Sequence, residues 1–196
     1  MGALPDTPQD AFQQWLDDAM AAGVQEPHAM TLSTVDADGF PDARVLILKN
    51  VDSRGWHFAI KANSPKGRQL AGNPRAALTF YWPVLGRQIR LRGTAVALSE
   101  AECADDFSTR PIGSKISAIA SRQSEVLQAP EDLTRSLGEA QTFLEQHPDH
   151  VEPGWRVFAV APEVVEFWQG ATSRQHKRLS YVRAGGTGWE KQTLWP

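Results

Sequence analysis

Near the end of this sequence, basic side chains stand at alternate positions. After Val164-Val165-Glu166-Phe167-Trp168-Gln169-Gly170 the chain places Arg174, His176 and Arg178 two residues apart. If that tail is extended, the spacing turns all three onto one face. Two guanidiniums and an imidazole in a row suit an anion better than a core. Trp168 adds a flat ring beside them, so the pattern points to a planar, phosphorylated ligand. Spacing alone also fits a solvated basic turn after an edge strand.

Further polar groups occupy the ends of elements. Arg44 and Lys49 bracket the apolar run Val45-Leu46-Ile47-Leu48, Lys66 follows Ser64-Pro65, and Arg110 precedes Pro111. Each taken singly is compatible with a solvated head group. Ser114 could cap a helix through Ile116 and Ile119 and present amide donors to an anion. Ser121-Arg122-Gln123-Ser124 is a short polar stretch between apolar segments. Gln88 heads a strand, where a neutral amide could read the edge of a heterocycle.

Composition narrows the partners. The 196 residues are 41% hydrophobic and 22% charged, which fits most simply one globular domain over residues 1–196. A formal net charge of -3 gives no general attraction to nucleic acid. Cys103 is the only cysteine, so neither an intrachain disulfide nor a multi-cysteine metal site can form. None of the five histidines falls in a His-Glu-x-x-His pattern, and no metal is expected. There is no Gly-x-Gly-x-x-Gly after a strand and no Gly-Lys-Ser/Thr phosphate loop. Met1 to Gln9 is acidic and proline-containing rather than basic and then apolar, and no run approaches the ~20 apolar residues of a membrane span. A soluble, cytoplasmic protein is expected.

An ordered series of elements must position these groups. Thr7-Pro8-Gln9-Asp10 announces a helix carrying Phe12, Trp15, Leu16, Ala19 and Ala22, stopped by Gly23. Met30 to Val35, Arg44 to Lys49 and Trp56 to Ile60 read as three strands joined by short turns, hence as antiparallel neighbours. Ser64-Pro65 opens a short helix over Lys66 to Ala71. Arg75 to Trp82 and Gln88 to Val96 form a hairpin, and Ser99-Glu100-Ala101-Glu102 is a capping box for a helix through Phe107. A helix over Pro130 to Gln146 precedes strands Trp155 to Val160 and Val164 to Gln169, and a closing hairpin spans Leu179 to Val182 and Gly188 to Thr193. Seven or eight mostly antiparallel strands with three or four outer helices predict a small, nearly closed barrel.

Several of these stretches, in this order, resemble the pyridoxamine 5'-phosphate oxidase family. They are Phe12-Gln13-Gln14-Trp15-Leu16, Arg44 to Lys49, Asn73-Pro74-Arg75, Arg110-Pro111, Gln123-Ser124, and Glu166 to Gly170 with its basic row, so the likeness runs over nearly the whole chain to Leu194-Trp195-Pro196. The resemblance implies a mainly β fold, the FMN-binding split β-barrel with peripheral helices, acting as a homodimer in which both subunits line each FMN site. Carried over by position, FMN is held by Arg44, Lys49, Ile60, Lys66, Gln88, Gln123, Ser124, Trp168 and Arg178. The substrate phosphate meets Lys49, Arg110 and Ser114, and Arg174 and His176 lie over the pyridine ring as substrate-binding, catalytic residues. The implied reaction converts pyridoxine or pyridoxamine 5'-phosphate to pyridoxal 5'-phosphate: a hydride leaves C4' for flavin N5, and dioxygen takes the electrons to give hydrogen peroxide. Hydride chemistry belongs to the cofactor, so the protein's share is alignment and charge stabilisation.

Two positions depart from the family pattern. Asp106 stands where the family usually has a phosphate-binding tyrosine, and Pro65 replaces an arginine in its Ser-Arg-Lys. An ionised Asp106 opposes a substrate dianion unless it faces away or pairs with a cation; one like-charge pair at ~5 Å and an effective dielectric of ~20 costs on the order of 3 kcal/mol. The phenazine-pathway flavin oxidases share the barrel and the Ser-Arg-Gln-Ser-Glu stretch seen at Ser121 to Glu125, and act on a bulkier reduced tricyclic substrate. A flavin-binding protein without turnover is the third reading.

Overall fold

A computed structural model describes residues 2–186 and 188–196. Helix α1 (Pro8–Ala21) starts as its sequence requires: Thr7 caps it by accepting from the Asp10 amide at 3.2 Å, and Pro8 occupies the first turn. Phe12 and Trp15 leave water completely or nearly so, Phe12 against Phe80 (4.8 Å between centroids) and Trp56 (5.6 Å), Trp15 against Phe167 (5.1 Å). Burying each ring stabilises the fold by about 2–3 kcal/mol, which pins α1 to the sheet interior.

The sheet has nine strands among the described residues: β1 (Ala29–Val35), β2 (Pro41–Ile47), β3 (Asn50–Asp52), β4 (Gly55–Lys61), β5 (Arg75–Trp82), β6 (Arg87–Ala97), β7 (Trp155–Gln169), β8 (Lys177–Arg183) and β9 (Trp189–Leu194). The main path runs β2-β1-β5-β6-β7-β4-β3, every pair antiparallel. β7 holds it together. Its first half pairs with β4 and its second with β8, so along one edge the sheet divides into a β4-β3 branch and a β8-β9 branch. This is the split barrel, mainly β, with α2 (Pro65–Gly72), α3 (Glu100–Ser108), α4 (Ile112–Ala120) and α5 (Pro130–Gln146) on its periphery.

Three expectations change. Trp155 to Val160 and Val164 to Gln169 are one strand, because Pro162 sits at a bulge: Arg92 pairs with Val164 and Gly93 with Pro162, leaving Glu163 as the extra residue. Gly93 is required there, since a Cβ would come within 2.0 Å of the Ala161 carbonyl oxygen. β4 does not pair with β2. It is buried at nearly every position and needs partners on both edges, which β3 and β7 supply, whereas β2 alternates exposed and half-buried positions as an edge strand does. The described residues also form one strand and one helix more than the upper expected counts: three-residue β3 is too short to show a period, and the helix through Ile116 and Ile119 stands as α4, separate from α3 with only Thr109, Arg110 and Pro111 between.

Candidate functional site

At the end of β4 the chain folds tightly back into α2. Ser64 accepts from the Gly67 amide at 3.2 Å, and a Cβ on Gly67 would lie 2.3 Å from the Ala62 carbonyl oxygen, so only glycine lets this helix start so close to the strand. The tight turn leaves Lys66 buried at one wall of a cavity of about 190 Å³. Ile60, Arg110 and Gln123 also line it, as does Leu46 from β2. Lys66 Nζ donates to Gln123 Oε1 at 2.6 Å. Burial and then the neighbouring Arg44 draw the Lys66 ammonium below its ordinary value, with Asp42 opposing. Arg44 donates to Thr34 Oγ1 at 2.6 Å and to Gln69 Oε1 at 3.2 Å, and pairs with Asp42. Ser124 lies in the exposed loop after Gln123, with a left-handed φ of 69°.

Sequence reasoning missed Lys61. Its buried Nζ donates to the Ala118 carbonyl at 2.7 Å and to the Ser121 carbonyl at 2.9 Å, capping the C-terminal end of α4 and fixing the loop that carries Gln123 and Ser124. A lysine at the end of an apolar strand carries no signal of that contact.

A second cluster adjoins the cavity. Lys49 lies beyond the end of β2, and its amide donates to the His57 carbonyl of β4 at 2.8 Å. Its ammonium pairs with Asp106 of α3 at 2.8 Å. The other Asp106 oxygen accepts from Trp155 Nε1 at 2.9 Å. Arg110 lies over the Trp155 ring, 4.1 Å from its centroid, and donates to the Ser114 carbonyl at 3.2 Å, while its buried Nε has no partner among the described residues. Asp106 is therefore not the unpaired carboxylate that would simply repel an anion; Lys49 compensates it. Ser114 is not the cap of α4 either. Pro111 holds that position, and Ser114 sits within the first turn, its amide already donating to the Pro111 carbonyl at 2.9 Å.

The third group occupies the outer face of β6, β7 and β8. Cross-strand register sets Gln88 beside Trp168 and Trp168 beside Arg178, with Arg90 beside Glu166 one step along. Glu166 is buried and accepts from Arg90 Nη2 at 2.7 Å and Arg178 Nε at 2.8 Å. Burial alone would raise its carboxyl, but Arg178 and Arg90 outweigh it and hold Glu166 below the usual range. Arg178 also donates to the Trp195 carbonyl at 3.0 Å. His176 rests against Trp168 at 4.8 Å, and its Nδ1 accepts from the Ala171 amide at 3.1 Å. Neutral His176 therefore carries its proton on Nε2.

The basic row is not one extended run. β8 begins only at Lys177; before it Arg174 has a φ of 62° in a turn whose amide donates to the Ala171 carbonyl at 2.9 Å. His176 and Arg178 stay with Trp168 while Arg174 is exposed in the turn, because the bond from the Ala171 amide to His176 curls the segment back over β7. His176 and Arg178 border a hollow of about 470 Å³, separate from the one beside Lys66.

A split barrel with a cation-lined cavity at the β4–α2 turn defines a flavin-binding class of fold, and the comparisons make it specific. Residues 16–169 match the pyridoxamine 5'-phosphate oxidase family and residues 155–196 match the pyridoxine 5'-phosphate oxidase C-terminal dimerisation region, so the chain belongs to the pyridoxamine 5'-phosphate oxidase family. Among its relatives, the pyridoxine/pyridoxamine 5'-phosphate oxidase of Rubrobacter xylanophilus is 45% identical over 100% of this chain and 89% of its own length. That of Ectopseudomonas mendocina is 47% identical over 98% and 90%. Among solved structures, PhzG from Burkholderia lata, in complex with tetrahydrophenazine-1-carboxylic acid, superposes with a TM-score of 0.91 at 31% identity, covering 98% of this chain and 94% of that one.

Proposed function

We propose that this chain is an FMN-dependent oxidase that converts pyridoxine or pyridoxamine 5'-phosphate to pyridoxal 5'-phosphate, with oxygen as acceptor and hydrogen peroxide as second product. The observation that carries the reading is the charge of the cavity at the β4–α2 turn. Lys66 is buried at its wall with the neutral Gln123 amide 2.6 Å from Nζ, and burial and then Arg44 draw its ammonium down against the pull of Asp42, which a bound anion relieves. The donor set suits FMN: Arg44 and Lys66 for its phosphate, Ile60 as an apolar wall, the Gln123 amide and Ser124 hydroxyl for its polar edge. Bound FMN supplies the hydride acceptor. Lys49, Arg110 and Ser114 orient the substrate's anionic group, and Arg174 and the Nε2–H of His176 stand for the substrate ring.

Arg178 borders a different hollow from Lys66, Gln88 and Trp168 stand beside it across the strands, and the C-terminal match is to a dimerisation region. In this reading a homodimer brings the outer face of one copy to the cavity of the other. The full-length likeness to curated pyridoxine/pyridoxamine 5'-phosphate oxidases favours the phosphorylated pyridine as substrate. A phenazine-type oxidation of a reduced tricyclic acid is the second reading, favoured by the fit to PhzG and by the compensation of Lys49 by Asp106.

The protein should purify yellow, as a dimer with about one noncovalent FMN per chain. Peroxide release followed in parallel with pyridoxine 5'-phosphate, pyridoxamine 5'-phosphate and a reduced phenazine carboxylate separates the readings. A chain without flavin and without affinity for added FMN defeats both. FMN binding with no peroxide from any substrate leaves a flavin-binding protein.

A further inference from the structure

Lys49 and Arg110 are the two cations of the second cluster, and one carboxylate reaches both. Asp106 binds the Lys49 ammonium at 2.8 Å through one oxygen. Through the other it holds the Trp155 indole at 2.9 Å, and the face of that indole carries Arg110 at 4.1 Å. The Asp106 side chain is 15% exposed and that of Lys49 33%, so an incoming ligand competes with Asp106 for the same ammonium. With Asp106 ionised, Lys49 and Arg110 together present one net positive charge. The buried Nε of Arg110, which has no acceptor among the described residues, marks where a ligand oxygen is wanted.

We propose that Asp106 is a specificity-determining residue of the substrate-anion subsite, acting through Lys49 to favour a singly charged ring carboxylate over a dianionic phosphate ester. The proposal rests on the oxidase reading for the position of the substrate anion and, of the two substrates named there, counts toward the tricyclic acid. A phosphate monoester carries a charge near -2 at neutral pH. To use Lys49 it must displace Asp106 and then lie beside it, so it meets both a competing acceptor and a like charge. A carboxylate carries one charge, which Arg110 alone neutralises, and Lys49 can remain on Asp106. Trp155 gives the device its rigidity, because its indole N–H fixes the Asp106 oxygen that does not face Lys49.

The test uses the FMN-loaded dimer and equilibrium titration, so that binding is read whether or not turnover occurs. Asp106→Asn keeps an acceptor for Trp155 and removes the charge. It should tighten binding of pyridoxal 5'-phosphate by about tenfold and of phenazine-1-carboxylate by no more than about twofold, with FMN affinity unchanged. In a Lys49→Met background the same substitution should lose most of its effect on pyridoxal 5'-phosphate. Asp106→Ser serves as a second variant should the amide disturb Trp155. Equal tightening for both ligands, no tightening for the phosphate, or an undiminished effect without Lys49 overturns the proposal, as does failure of wild type and variants to bind either ligand. A protein that shows the selective shift but makes no peroxide from any substrate overturns the oxidase reading and leaves the role of Asp106 standing.

Discussion

The cavity at the β4–α2 turn and the outer face of β6, β7 and β8 treat positive charge in opposite ways. On the outer face, Arg90 and Arg178 both bond the buried carboxylate of Glu166, so each cation there has an anionic partner within the chain. In the cavity, Asp42 is taken up by Arg44, and buried Lys66 has the neutral amide of Gln123 as its hydrogen-bond partner. Charge removed from water needs compensation from somewhere. The cavity is therefore where a bound phosphate gains most, while the outer face offers an oriented surface whose arginines are already paired: a ring to stack on, an amide and a histidine N–H. The second cluster stands between the two, since Lys49 has the carboxylate of Asp106 while Arg110 has the Trp155 ring and the Ser114 carbonyl.

The largest effect should come from a residue that stabilises charge in the reaction. Arg174→Ala is expected to lower kcat by about 100-fold while FMN affinity stays within about twofold. Steady-state peroxide release with flavin titration checks this, and equal losses in both would show that the turn belongs to the cofactor site. Next, Lys66→Met removes one charge-assisted contact of about 1.5–3 kcal/mol and should weaken FMN binding by about 10- to 100-fold. Retained affinity would move the phosphate away from the cavity and erase the contrast between the two regions. The wild-type protein should carry the same signature in its pH dependence. Because Lys66 is drawn below its ordinary value of 10.5, FMN affinity should fall as pH rises through a point under 10.5, and Lys66→Met should abolish that step.

Glu166→Gln probes the face whose arginines are paired and should be milder. Arg90 is more than half exposed, so solvent screens much of the loss, and about 1–2 kcal/mol of stability should go. The sign with pH is fixed by its lowered carboxyl: the contribution is complete above the ordinary value of 4.5 and is lost as pH falls through the lower folded value. Denaturant unfolding of both proteins should therefore converge in acid. A constant difference down to low pH would mean that Glu166 acts through packing rather than charge.

Much of the architecture was legible from short-range chemistry. Thr7, Ser64 and Ser99 cap the helices they announce, and Arg75 to Trp82 is a strand at the stated bounds. The basic row was legible as residue types but not as a shape, since the bond from the Ala171 amide to His176 that curls it back joins groups whose closeness no spacing rule gives. Asp106 was visible as a charge in an unusual place. Whether it repelled or paired depended on Lys49, far away along the chain.

Alone, the order of amino acids determined the local and the cumulative: where helices begin, which faces are apolar, which residue types could hold an anion, and which family the ordered stretches resemble. Tertiary structure decided the rest. It made Trp155 to Gln169 one strand by placing Pro162 and Gly93 opposite each other at a bulge, and it sent β4 to β7 rather than β2. It also turned Lys61 inward onto the Ala118 and Ser121 carbonyls, gave Arg178 and Arg90 a common carboxylate, and gave Lys49 its own. Caps and periods act over a few residues and leave their mark in the sequence. The state of a buried charge depends on whichever group, from any part of the chain, comes within a few ångströms of it.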